Sequence, residues 1–200
     1  MTERDGIERR RLLGALGVGA TACVGGCLGG DGAEDDDDED DAQVHEPTME
    51  IEFDDDGPFD FDDGERCAVC GMPAKKYFGT GQLVHENGLA AVFDSPGCLF
   101  AYTVSSTPDS PIAAAWTTDY ETRDLIDATA AHFVLITDEE AAEDPMGIDP
   151  RPYAERDDAV AFLEEWEAEE LTPDDDIIVG FEDVSLEIAA TYRGNRLPDE

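Results

Sequence analysis

The sequence predicts an α+β fold made of two similar ββαβ halves packed into one compact region. Three observations lead there. Residues 82–85 and 89–93 form two apolar runs flanking Asn87-Gly88, the turn pair of a β-hairpin. Ser95-Pro96 then opens a helix, with Ser as N-cap and Pro at the first helical position. The same order of elements recurs after residue 120.

In the first half the helix after Ser95 turns Cys98, Leu99 and Tyr102 inward, and residues 112–116 return as a strand. In the second half, residues 130–136 read as an apolar strand and 152–154 as a short one. Asp157 begins a helix with Val160, Phe162, Leu163 and Trp166 inside, and residues 177–181 return as a strand. The folded domain is placed at 49–190, with halves at about 64–120 and 121–190 and a tail at 191–200. Residues 49–63 stay acidic but carry Ile51, Phe53, Phe59 and Phe61, so they add an edge strand or remain irregular.

Charge narrows the partners. The 200 residues hold 51 acidic and 12 basic side chains, a net charge of −39, and the only lysines are Lys75 and Lys76. Such a surface excludes nucleic acid and anionic membrane as electrostatic partners. The 41% apolar content argues against disorder throughout. A carboxylate-covered domain working in concentrated salt, which screens self-repulsion, accounts for both numbers.

Residues 1–26 read as a processing segment of the twin-arginine type. Arg9, Arg10 and Arg11 precede an apolar run that is shorter than the roughly 20 residues a bilayer span needs. The run ends at Val24-Gly25-Gly26-Cys27, a lipobox pattern in which Cys27 is acylated and becomes the new N-terminus. Cleavage without lipidation is the alternative. Residues 27–48 read as a disordered acidic tether, since nine of the eleven residues 31–41 are Asp or Glu.

Three cysteines lie in the folded domain: Cys67, Cys70 and Cys98. Cys67-Ala68-Val69-Cys70-Gly71-Met72 has the spacing of a metal-binding pair, a disulfide or a redox couple. A zinc site needs further ligands, and no second C-x-x-C exists. Gly71 and Pro73 oppose a helix starting at Cys70, which a redox motif would use. What remains is a turn that presents thiols beside a thioether, a soft donor set that favours Cu(I). Met146, in the turn-rich Asp144-Pro145-Met146-Gly147, is a second thioether candidate or a loop residue folded back on the core. His85, near the hairpin turn, is a nitrogen-ligand candidate or a solvated turn histidine. Cys98 and His132 read as core and structural residues, and His45 falls in the tether.

These motifs resemble the NosL family of copper lipoproteins. The resemblance is carried by Cys67-Ala68-Val69-Cys70-Gly71-Met72, Gln82-Leu83-Val84-His85, Val92-Phe93-Asp94-Ser95, Thr118-Asp119-Tyr120, Ile126-Asp127-Ala128 and Pro145-Met146-Gly147, in order from about 65 to 183. It implies a Cu(I)-binding lipoprotein, not an enzyme, that delivers copper outside the cytoplasm to nitrous-oxide reductase or another copper protein. It carries the metal-binding role onto Cys70, Met72 and Met146, with Cys67 and His85 as further candidates. The long acidic tether and acid-rich surface mark a salt-adapted, archaeal variant, and Cys98 could add a thiol. An extracytoplasmic thiol–disulfide oxidoreductase using Cys67 and Cys70, and a metal-free structural lipoprotein, are the competing readings.

Overall fold

The computed structural model describes residues 44–54, 57–173 and 177–198, all within one compact unit spanning 39–200. The leader, Cys27 and the acidic run 31–41 lie outside the described residues.

Strands β1 (Met49–Glu50), β2 (Gly81–His85), β3 (Leu89–Phe93), β4 (Ile112–Thr118) and β5 (Leu125–Asp127) form an antiparallel sheet in the order β1-β3-β2-β4-β5. Helix α1 (Pro96–Val104) follows β3. A second sheet holds β6 (His132–Val134), β7 (Arg151–Tyr153) and β8 (Ile178–Val179) in the order β7-β6-β8. A short helix α2 (Glu139–Ala142) interrupts the loop between β6 and β7, and α3 (Arg156–Glu165) follows β7. In each ββαβ half the first strand lies in the middle, antiparallel to the second and third strands. The expected ββαβ repeat is therefore present in pairing as well as in element order.

Strand β2 is buried along its whole length because both faces of its sheet are covered. Side chains alternate across a strand. Leu83 joins the main core with Ala91 and Phe93, while Val84 faces a second cluster with Ala90 and Trp116. The irregular segment after β1 covers that second face, where the rings of Phe53 and Phe59 meet Trp116 edge-on at 6.0 and 6.4 Å. Residues 49–63 thus supply both an edge strand and an irregular cover.

Two boundaries differ from expectation. His45, assigned to the tether, is 6% exposed. Its N–H donates to the Ser105 carbonyl at 2.8 Å, and the Thr48 N–H donates to that of Ala90 at 2.9 Å. Residues 45 and 48, placed in the tether by the sequence, therefore pair with the folded domain through their backbone. At the other end, helix α4 (Leu186–Arg193) packs against α1 and runs through the expected tail boundary. Tyr192, Arg193 and Leu197 are buried, and Tyr192 donates to the Ile136 carbonyl at 3.2 Å.

Some element lengths differ as well. The strand expected at 130–136 is only β6, since Ala130 and Ala131 close a turn onto Asp127 and Ala128. The strand expected to reach Phe181 ends at Val179, and Phe181–Asp183 forms a 3-10 turn held by Asp183 Oδ2 accepting from the Gly180 N–H at 2.9 Å.

Candidate metal centre

The C-x-x-C stretch forms a closed turn with no helix, as Gly71 and Pro73 require. Cys67 N–H donates to the Met72 carbonyl at 2.8 Å, and Gly71 N–H donates to the Cys67 carbonyl at 3.0 Å. Gly71 takes φ +71°, a left-handed conformation that glycine adopts without Cβ strain. Ala68 N–H donates to the Val92 carbonyl at 3.0 Å, which ties the turn to β3. The same strand ends at Phe93, Asp94 follows it, and Ser95 then caps α1, its Oγ accepting from the Cys98 N–H at 3.4 Å. Turn, strand end and first helical turn therefore meet in one place.

Four side chains converge there. The sulfurs of Cys67, Cys70 and Cys98 and a carboxylate oxygen of Asp94 all lie within 4.8 Å of one another. Cys67, Asp94 and Cys98 are buried, whereas Cys70 is half-exposed. Cys70 Sγ sits 3.3 Å from both Asp94 oxygens. All three cysteines are free thiols.

Crowding sulfurs around one proton pool splits their acidities. Hydrogen bonds from the Cys67 and Cys98 thiols, then one from the Met72 N–H, pull Cys70 down to about 4 despite its burial. Cys67 is pushed far up, first by the hydrogen bond it gives Cys70, then by Cys98 and by burial. Burial raises Asp94 above the usual carboxylate range, and the adjacent Cys98 adds to that. The centre thus offers one ready thiolate, and its neighbours would release protons when a metal takes their place.

Met72 is half-buried in the turn itself. Met146 lines a cleft whose other wall is Asp94, Ser95 and Pro96. Its loop is held by Asp144, which accepts from the Met146 N–H at 2.9 Å and pairs with Arg151 at 2.6 Å. His85 is 2% exposed, not solvated. Its Nδ1 lies 2.8 Å from the Ser110 carbonyl and its Nε2 3.3 Å from the Tyr102 hydroxyl. Both ring nitrogens thus have protein partners, and His85 is not among the converging residues.

Asp94 and Cys98 converge with Cys67 and Cys70; the sequence marks Cys98 as a core residue that could add a thiol and does not single out Asp94. Cys98 is indeed fully buried, but burial alone does not separate a core thiol from a ligand. The available signal was its position in the first turn of a Pro-started helix, three residues after the cap Ser95 and close in space to the C-x-x-C turn.

A NosL family model matches residues 58–178, more than half of the chain. The crystal structure of the copper chaperone NosL from Shewanella denitrificans matches with a TM-score of 0.50 and 19% identity, covering 66% of this chain and 97% of that one. At that identity the likeness concerns the fold. No curated protein matches the sequence. Among the described residues, no helix is long and apolar enough to cross a membrane. The chain belongs to the NosL family, a non-enzymatic family.

Proposed function

We propose that this chain is an extracytoplasmic copper chaperone that carries Cu(I) and passes it to a copper enzyme, nitrous-oxide reductase. The observation that carries this reading is the convergence of three thiol sulfurs and one carboxylate in the region matched to the family. Thiolates are soft donors that suit Cu(I). Cys70 provides the first thiolate, at a half-buried position, and Cys67 and Cys98 are buried thiols that would lose their protons to the metal. Met72 and Met146 would add thioethers, the role the family resemblance carries onto them.

Transfer would proceed by ligand exchange. Cu(I) accepts two to four ligands, so a recipient's sulfur can enter at the half-exposed Cys70 side before the buried thiolates leave. The leader and Cys27 support lipid anchoring outside the cytoplasm, and the charge of −39 supports a salt-adapted, archaeal setting. Replacing Cys27 with Ser would release the protein from the membrane fraction if the anchor is the lipid.

The split acidities of Cys67 and Cys70 would also suit a thiol–disulfide oxidoreductase. One titration separates the readings. The reduced full chain, held anaerobically with a competing Cu(I) chelator, should bind one Cu(I) and prefer it strongly over Zn(II). It should then restore copper to metal-free nitrous-oxide reductase. Absence of Cu(I) binding, with rapid disulfide exchange in its place, would favour the oxidoreductase.

A further inference from the structure

Helix α4 begins after the last residue matched to the family, 178, yet it reaches the metal centre. Its last residue, Arg193, is 5% exposed. Arg193 Nε donates to Cys98 Sγ at 3.3 Å, across 95 positions of sequence. The other guanidinium N–H groups are also occupied. Nη1 donates to the Ile148 and Tyr192 carbonyls at 3.1 and 2.7 Å. Nη2 donates to Ser95 Oγ at 2.7 Å and to Asp149 Oδ1 and Oδ2 at 2.7 and 2.8 Å.

Asp149 is buried in turn, and its Oδ1 accepts from the Gly97 N–H at 2.8 Å. A Cβ on Gly97 would stand 2.5 Å from Asp149 Oδ1 and 3.1 Å from Arg193 Cζ, so only glycine leaves room for this pair beside Cys98. The fold has therefore placed a fixed cation against the deepest sulfur. It has also tied that cation to Ile148 and Asp149, which follow the Met146 loop.

A fully hydrogen-bonded guanidinium next to a sulfur is more than packing requires. A buried ion pair without a task is often matched or bettered by apolar residues of similar volume. A cuprous ion held by several thiolates carries net negative charge, and in a dry site that charge needs a nearby donor. Building on the copper-binding reading, we infer that Arg193 is a positioning residue of the metal site: its Nε–H orients Cys98 and offsets the negative charge of the metal–thiolate complex. The C-terminal helix is then part of the site rather than an appendage to the fold.

The test is a double-mutant cycle in the full, reduced chain, read as Cu(I) affinity in competition with a chelator. R193M/D149N removes both charges together and strands neither. R193K keeps a cation for Asp149 but lacks the fork that reaches Cys98. Loss of a hydrogen bond to a charged group should weaken Cu(I) binding about ten- to a hundredfold in R193M/D149N, with a smaller loss in R193K. In a Cys98→Ser background neither change should weaken binding further, because the sulfur they act on is gone. A purely structural Arg193 would lower affinity equally with and without Cys98, and that result overturns the inference. So does parental affinity in R193K or in R193M/D149N. Should R193M/D149N fail to fold, R193K and its Cys98→Ser partner decide the matter. A parent chain that binds no Cu(I) overturns both the copper reading and this one, whereas a parent that binds beside unaffected variants overturns only this one.

Discussion

The two halves share a topology and differ in what covers their helices. In the first half, α1 is buried continuously from Pro96 to Tyr102, because the sheet lies on one side and α4 packs on another. In the second half, α3 buries only Ala159 and Leu163, and its first turn carries Asp157 and Asp158 into solvent. The helix start that is covered holds Cys98 beside Cys67, Cys70 and Asp94. The helix start that is open holds no such cluster among the described residues. One ββαβ unit can therefore serve as a ligand frame or as a plain support. Enclosing the start of the helix separates the two uses, since a dry setting is where thiolate–metal bonds meet least competition from water.

Breaking the ligand frame should have the largest effect. Cys70→Ser removes the sulfur pulled to a low pKa, and the variant should retain no Cu(I) in chelator competition while melting close to the parent. Retained tight binding would move the site elsewhere. The joint between the halves comes next. Phe100 and Phe133 meet edge-on at 4.9 Å, one from each half. Phe100→Ala should destabilise the fold by about 3–5 kcal/mol in denaturant titration. Leu163→Ala in the supporting half should cost about 2–5 kcal/mol of stability and leave Cu(I) affinity unchanged in the fraction still folded. A parallel loss of affinity would show that the second half shapes the site more than its geometry suggests.

The contrast also has a pH signature in the metal-free protein. A thiol whose pKa is pulled to about 4 is thiolate at every pH above that value and loses this form only as pH falls through it. Alkylation should therefore label Cys70 about as fast at pH 6 as at pH 8, while Cys67, pushed up and buried, stays unlabelled. A Cys70 rate that rises steadily with pH toward an ordinary thiol pKa would contradict the split.

Local pattern made most of the frame legible. Asn87-Gly88, the Ser95-Pro96 helix start and the twofold element order each act over a few residues, and all three appear in the structure. The turn at Cys67 to Met72 was legible for the same reason. Cys98 and Asp94 were not, because a buried ligand and a buried core residue look alike in a pattern of apolar positions. Arg193 was still less accessible, since its bond to Cys98 joins a chain end to the start of α1. His85 was open to two readings, a nitrogen ligand or a solvated turn histidine, and the second fails because Ser110 and Tyr102 close over the ring from elsewhere in the chain.

In the proposed function, sulfur from the first half holds the copper, with Cys98 among the ligands. Copper K-edge X-ray absorption on the anaerobically loaded chain, alongside Cys98→Ser, addresses it directly. The copper should be surrounded mainly by sulfur, with fewer sulfur scatterers in the variant. A shell dominated by nitrogen or oxygen, unchanged by Cys98→Ser, would contradict it.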